Sequence, residues 1–196
     1  MKKSFTKIAM FALLIAMTGV VFQGCKSKKE APAPADEVEI VTYCSGPEYQ
    51  TNSEYFRANQ IGESLDQAVS KKKALSNAKA DLAAAIETTM KATFDNYVNS
   101  RELNNIEEVE ERYEGLSREV VNQKLNGIRT ICEKQTKTTS GTYKTYIAIE
   151  LAGDEIMSAM NQRLPADAKL KIDYDYEKFK QTFNEEMNKM EEQKGY

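Results

Sequence analysis

The sequence predicts an α+β domain, in which a small antiparallel sheet packs against a long alanine-rich helix and a second helix, with an amphipathic helix at the C-terminus. Three observations in the 196-residue chain indicate this fold. Apolar residues recur at helical spacing over a stretch that has no glycine or proline between Gly62 and Gly115. The apolar period then changes to two over residues 128–151, which is typical of a hairpin with one buried face. A last stripe at helical spacing follows Pro165.

The first 24 residues have the three parts of a secretion signal. A basic start, MKKSFTK, precedes an apolar core of 15 residues, which is shorter than the run of about 20 that a bilayer-spanning helix needs. The core ends at VVFQGCK, a stretch that resembles the lipobox of bacterial lipoproteins, where the signal is cut before a lipid-bearing cysteine. Gly24 and Cys25 match that pattern, whereas Phe22 and Gln23 stand where leucine and a small residue are usual. The alternative is an ordinary signal with a chance cysteine.

Signal cleavage between Gly24 and Cys25 leaves Cys25 as the lipidated N-terminus of the mature chain. A diacylglyceryl group together with an N-acyl chain such as palmitate is enough for stable membrane anchoring, where one chain is marginal. Residues 25–37 then form a polar, semi-extended tether of lysine, proline and alanine. Lys26 is not the aspartate that retains lipoproteins of enteric bacteria in the inner membrane, and the tether does not resemble the acidic surface-export signal. We therefore expect a protein of the outer membrane that faces the periplasm.

Two candidate strands precede the long helix. Residues 38–44, VEIVTYC, alternate β-branched and polar side chains and predict a short strand or an extended lead-in. Ser45, Gly46 and Pro47 interrupt this pattern. Residues 54–62, EYFRANQIG, are the second candidate, because strand-forming residues again precede a glycine.

The long helix gives the strongest pattern in the chain. Ser64 and Gln67 have the spacing of a capping box, in which the two side chains bond to free amides of the first turn. Five alanines between positions 78 and 85 have high helix propensity and are small enough for a close approach to a sheet. The basic triplet at 71–73 is interpreted as a solvated face, with a phosphate-binding patch as the alternative. The predicted buried stripe consists of Leu65, Val69, Leu75, Ala78, Leu82, Ile86, Met90, Phe94 and Tyr97.

A second helix is predicted from about Ile106 and ends before Asn126 and Gly127. We interpret its acidic face as solvated surface, while a basic partner is the alternative. Its apolar positions are Ile106, Val109, Tyr113, Leu116 and Val120, and its acidic positions are Glu107, Glu108, Glu110, Glu111 and Glu114.

The period-two region predicts a hairpin made of residues 128–137 and 142–151, with a turn at 138–141. Alternation along the second strand predicts one buried and one wetter face, with the helices packed on the buried side. The buried set is Tyr143, Thr145, Ile147, Ile149 and Leu151, and the wetter set is Lys144, Tyr146, Ala148 and Glu150.

The C-terminal region predicts two further helices. Residues 153–164 form a short amphipathic helix that Pro165 stops. A final helix has an apolar stripe that docks either on the core or on a partner, and this stripe consists of Tyr176, Phe179, Phe183, Met187 and Met190. The expected organisation is a signal peptide at 1–24, a lipidated tether at 25–37, an α+β domain at 38–164 and a helical tail at 165–196.

The composition argues against several classes of function. The chain has no histidine, which removes the usual general base and the commonest zinc ligand. Its net charge of −3 with mixed signs argues against nucleic-acid binding. Residues 173–176, DYDY, lack the glycine and spacing of a calcium loop and are interpreted as a helix lead-in. We therefore expect no enzyme, no catalytic residues, no cofactor and no metal site.

Cys44 and Cys132 remain once Cys25 is assigned to the lipid. In an oxidising compartment they can form a disulfide. The alternative is a pair of buried thiols that act as small apolar residues.

FRANQIGES, KALSNAKADLAAAI and YKTYIAIEL, in this order around a second helix, resemble the LPP-twenty-type bacterial lipoproteins, which are related to the N-terminal domain of the flagellar assembly protein T. The resemblance covers roughly residues 41–164. It differs at Tyr43 and Cys44, where such proteins often carry a tryptophan. The resemblance implies a small α+β domain in an envelope lipoprotein, and it implies no catalytic residues.

Two functions are therefore expected. The first is a non-catalytic outer-membrane lipoprotein with a structural or assembly role in the cell envelope, anchored through Cys25 and associating with itself or with another envelope protein. The alternative is a lipoprotein that binds a small molecule or glycan through its ten tyrosines. Exposed tyrosines around a concavity would favour binding, and buried or scattered tyrosines would favour assembly.

Overall fold

A strand, two helices, a hairpin and two more helices follow one another along the chain. The computed structural model describes residues 40, 42–99, 106–167, 170 and 175–194. The predicted α+β fold is confirmed, with a three-stranded antiparallel sheet, a long helix on it and a C-terminal helix. Short 3-10 turns lie at Pro47–Tyr49 and Leu164–Ala166. The elements are β1 (Tyr55–Ser64), α1 (Gln67–Asn99), α2 (Ile106–Lys124), β2 (Arg129–Lys137), β3 (Tyr143–Ala152), α3 (Gly153–Arg163) and α4 (Tyr176–Lys194).

The sheet has the order β1-β3-β2, so that β3 is its central strand. The predicted hairpin of β2 and β3 is confirmed. Its turn is closed by hydrogen bonds from the Thr138 amide to the Thr142 carbonyl (2.8 Å) and from the Gly141 amide to the Thr138 carbonyl (3.0 Å). Gly141 has φ +89°, a conformation that favours glycine. β1 precedes the hairpin by two helices in the sequence, and it pairs antiparallel with the other edge of β3.

Helix α1 packs on one face of the sheet, which we call the inner face. The closest approach is at Gly62, where a Cβ atom would lie 2.2 Å from the Ser70 carbonyl oxygen. The Ser70 hydroxyl lies 2.8 Å from both the Gly62 carbonyl oxygen and the Thr145 hydroxyl. These hydrogen bonds satisfy polar groups that would otherwise be costly to bury between helix and sheet.

The capping box predicted for α1 is wrong in its residues. The Asp66 carboxylate accepts a hydrogen bond from the Val69 amide (2.9 Å), so that Asp66 caps the helix. Ser64 belongs to β1, and its hydroxyl accepts the Asp66 amide instead. Gln67 donates to the side chain of Gln135 on β2 (2.5 Å). The strand continues two residues further than residues 54–62 suggested, which moves the helix start to Gln67.

The buried stripe of α1 is correct from Ala78 onwards and wrong at its start. Ala78, Leu82, Ile86, Met90, Phe94 and Tyr97 are buried, as predicted. Leu65 and Val69 are exposed, because Ser70 and Ala74 occupy the sheet-facing positions near the start of the helix. Only small side chains fit there, where the helix backbone touches β1 at Gly62.

The other helices complete the core around α1. Tyr113 of α2 is buried, stacks on Phe94 with ring centroids 4.1 Å apart, and donates its hydroxyl to the Met90 carbonyl (3.1 Å). Helix α4 packs on α1 and buries Phe179, Phe183 and Met187. The C-terminal helix therefore docks on the core, which is one of the two alternatives that its stripe allowed.

The two faces of β3 are only partly as predicted. Thr145, Ile147, Ile149 and Leu151 are buried on the inner face. The opposite, outer face is not simply wetter, because Ala148 and Glu150 are buried there as well. Residues 42–52 cover the middle of this face, and the described residues of the predicted lead-in form no strand.

Candidate functional site

The outer face of the sheet carries a disulfide and a buried carboxylate that pairs with arginines. Residues 42–52, which we call the strap, cross this face and are attached to all three strands. The Tyr43 ring packs edge-on against Tyr146 of β3, with centroids 5.3 Å apart. Cys44 is joined to Cys132 of β2. The Gln50 carbonyl accepts a hydrogen bond from the Arg57 guanidinium (3.2 Å).

The structure brings together Cys44 and Cys132, two of the cysteines singled out from the sequence. They form a disulfide, with Cα atoms 5.6 Å apart and 88 positions between them in sequence. Cys44 is buried and has φ +58°, a left-handed conformation that is uncommon outside glycine. Gly24 and Cys25, the predicted cleavage and lipidation residues, lie outside the described residues.

Beneath the strap, one carboxylate holds two guanidinium groups. Glu150 of β3 has a side chain that is only 4% exposed. Its carboxylate accepts hydrogen bonds from Arg57 Nε (2.9 Å) on β1 and Arg129 Nε (3.0 Å) on β2. Both guanidinium groups also lie over the ring of Tyr55, at 5.2 Å and 5.9 Å from its centroid. This cluster ties all three strands together.

The charge state of Glu150 follows from these contacts. Burial alone raises the pKa of this carboxyl, because a charged group is less stable away from water. The hydrogen bonds from Arg129 and Arg57 outweigh burial and hold the pKa below its usual value. Glu150 is therefore ionised at neutral pH, and the cluster is a paired structural site.

Sequence reasoning missed this cluster. The sequence pattern places Glu150 on the wetter face and does not indicate its arginine partners. The alternation of β3 does place a carboxylate among apolar residues. The pairing of Glu150 with both Arg57 and Arg129 depends on the strand register, which the sequence alone does not contain.

A pocket of about 430 Å³ lies between α1 and α2. Lys91 projects into it and contacts Glu114 (2.6 Å) and Glu110 (3.2 Å). Hydrogen bonds to Glu114 and Glu110 raise the pKa of Lys91, so that it stays protonated and is a poor base. Part of the predicted acidic face of α2 therefore pairs with a lysine of the same chain.

A second pocket of about 500 Å³ lies where β3 passes into α3. Its walls include Tyr55, Gly153, Asp154, Lys180 and Phe183. Lys180 and Asp154 are 4.0 Å apart across it, at the limit of an ion pair. Neither pocket contains more than one tyrosine.

Two other sequence features have ordinary structural roles. In the basic triplet, Lys71 pairs with Glu133 of β2 (2.9 Å), and Lys73 donates to the Glu63 carbonyl (3.2 Å). In the acidic DYDY stretch, Asp175 accepts the Lys178 amide (3.2 Å) and caps α4. The latter contact favours the helix lead-in, while residues 173 and 174 lie outside the described residues.

The described part of the chain contains no cluster of three or more acidic or cysteine side chains that could hold a metal ion. Its helices are each too short or too polar to cross a membrane. No protein-family profile matches the chain, and no curated protein matches it in sequence.

Proposed function

We propose that this protein is a non-catalytic lipoprotein of the outer membrane, anchored through Cys25 on the periplasmic face, with a structural or assembly role in the cell envelope. The disulfide between Cys44 and Cys132 is the observation that carries the proposal. Disulfides persist in oxidising compartments such as the periplasm and are rare in the cytosol. The chain has three cysteines, so this pairing leaves Cys25 without a partner cysteine in its own chain.

Cys25 stands where a lipidated cysteine is expected, after an apolar core and next to Gly24. A cysteine that has no disulfide partner can carry a diacylglyceryl group through a thioether bond. The order of elements, with a strand, an alanine-rich helix, a second helix and a returning hairpin, supports a relation to the LPP-twenty-type lipoproteins. That relation is part of the same proposal.

The placement of the tyrosines supports assembly over ligand binding. Tyr97 and Tyr113 are buried in the core, Tyr55 packs under the arginines, and Tyr43 packs on Tyr146. They are therefore scattered over the fold, and the two pockets described above gather at most one each. A glycan or small-molecule site would bring several aromatic rings to one concave surface.

Metabolic labelling with palmitate tests the anchor. The full-length protein should incorporate label and sediment with membranes, whereas Cys25→Ser should lose both properties. Lys26→Ser is the matched control, because it changes the neighbouring residue and keeps the thiol. A Cys25→Ser protein that remains membrane-bound, or a wild type without label, would overturn the anchor.

Chemical crosslinking in native membranes, followed by purification of the lipidated protein, tests the assembly role. We expect covalent dimers or a complex with another envelope protein. Recovery of the monomer alone would contradict an assembly role and leave the anchor intact.

A further inference from the structure

We propose that one end of the domain rests on an anionic lipid surface, an orientation that depends on the proposed anchor at Cys25. This end, which we call the hairpin end, consists of residues 42–45, 59–73 and 132–146. It contains the β2–β3 turn, the last part of β1 and the start of α1. Three separate observations carry the proposal: exposed apolar side chains, local charge and the point where the chain enters the domain.

The exposed apolar side chains are concentrated at the hairpin end. From residue 42 onwards, the large apolar side chains that the described structure leaves exposed are Tyr43, Ile61, Leu65 and Val69. Single exposed apolar residues are common on any protein surface. Here all four lie at the same end, and Leu65 is 79% exposed in the connection between β1 and α1. Such a group is typical of an interaction surface.

Lysines outnumber acidic residues at the same end of the domain. The hairpin end has six lysines and three acidic residues, although the whole chain has a net charge of −3. Lys71 and Lys144 pair with Glu133 and Glu63, while Lys72 and Lys134 form no ion pair with any described residue. Apolar side chains next to lysines are the combination by which proteins bind the interface of anionic membranes.

The chain enters the domain at the same end. Tyr43, near the start of the described fold, packs on Tyr146, and Tyr146 pairs with Ile61 across the sheet. Cys25 and Thr42 are 17 residues apart in the sequence, so an extended tether reaches at most about 60 Å. A lipid at Cys25 therefore keeps the hairpin end within reach of the bilayer.

A second copy of the chain fits this surface less well than a lipid headgroup layer. A two-fold dimer places the same patch against itself. Because that patch carries six lysines and three acidic residues, two copies of it would repel each other. An anionic surface instead offers opposite charge to the lysines and an apolar layer to Leu65 and Val69.

A depth-sensitive fluorophore tests this orientation on the full-length lipidated protein. Leu65→Cys is labelled with an environment-sensitive maleimide under non-reducing conditions, so that the Cys44–Cys132 disulfide stays intact. The matched control is Glu155→Cys, at the opposite end of the sheet, where α3 begins. Both proteins are reconstituted into vesicles of phosphatidylcholine, with and without phosphatidylglycerol and with brominated lipid as quencher.

We expect the probe at position 65 to shift its emission to the blue and to lose most of its intensity to brominated lipid when phosphatidylglycerol is present. The probe at position 155 should show neither change. Lys72→Glu with Lys134→Glu should reduce the quenching at position 65. Equal quenching at both positions, or none at position 65 in protein that floats with the vesicles, would overturn the orientation alone.

Two further outcomes also count against the proposal. A blue shift at position 65 that rises with protein density and is insensitive to brominated lipid would assign the surface to a second copy. Failure of the unlabelled wild-type protein to float with vesicles would overturn the anchor, and the orientation with it.

Discussion

Gly62 is the residue at which the helix layer and the sheet come closest. A Cβ atom there would lie 2.2 Å from the Ser70 carbonyl oxygen and 2.4 Å from the Ala74 amide nitrogen, both backbone atoms that cannot rotate away. Gly62→Ala must therefore separate α1 from β1. We expect it to lower the free energy of unfolding by about 3 kcal/mol, the upper end for overpacking.

Gly115 provides the matched control, since the same substitution there meets no atom within 4 Å. It lies inside α2, where alanine favours the helix, so Gly115→Ala should raise stability by about 0.5–1 kcal/mol. Urea unfolding of the two variants measures both effects. Equal stability of Gly62→Ala and wild type would contradict the close packing.

Glu150 makes the stability of the fold depend on pH. Its pKa in the folded protein lies below the value of an unperturbed glutamate in the unfolded chain. Its contribution is therefore fully present above that value and is lost as the pH falls through the folded pKa. We expect Glu150→Gln to cost about 2 kcal/mol at neutral pH, an amount limited by the exposure of Arg129, whose side chain is 71% exposed.

The difference in unfolding free energy between wild type and Glu150→Gln should shrink as the pH is lowered from 7 to 3, because protonation removes the same charge from the wild type. Glu119→Gln, on the exposed surface of α2, is the control and should stay within about 0.5 kcal/mol of wild type. A difference between Glu150→Gln and wild type that does not change with pH would show that the carboxylate charge contributes nothing.

The attachment of the strap to the sheet includes one covalent bond, the disulfide between Cys44 and Cys132. The Cys44–Cys132 disulfide closes a loop across 88 positions that includes β1, α1 and α2. On the chain-entropy model this bond stabilises the fold by about 4 kcal/mol. Replacing both cysteines by serine should lower the free energy of unfolding by that amount, and a reductant should then have no further effect.

Intact mass after alkylation, with and without prior reduction, checks the bond directly. Wild-type protein should take up alkylating reagent at Cys44 and Cys132 only after reduction. Two modified thiols in untreated protein would contradict the disulfide and would favour the alternative of buried free thiols.

Elements that depend on local sequence could be predicted, and elements that depend on distant contacts could not. The β2–β3 hairpin and the middle of α1 follow from turn residues and apolar spacing within a short stretch. The position of the strap could not be predicted because it depends on two contacts outside the strap. One is with Cys132, which is distant in sequence, and the other is with Arg57 on β1. The start of α1 was misplaced for the same reason, because Gly62 selects small residues from across the helix–sheet contact.

For the whole molecule, the fold and the proposed anchor depend on different parts of the chain. The α+β fold was predicted from residues 54–190, whose apolar pattern is regular. The docking of α4 stayed open because an amphipathic stripe looks the same whether it covers its own core or a partner. The proposed anchor depends on residues 1–37. There the prediction rests on the order of a basic start, an apolar core and a cysteine, and it does not rest on packing.

The placement of β3 at the centre of the sheet also constrains how the chain folds. β1 pairs with residues that are 79 positions away at Ser64–Tyr143 and 97 positions away at Tyr55–Ala152. A chain synthesised or exported from its N-terminus therefore presents β1 long before its partner strand emerges. Contacts this distant in sequence slow folding and leave strand edges open to aggregation. Helix α1 packs on β1 in the folded protein and precedes β3 in the chain, so it is the element that can cover β1 until β3 follows.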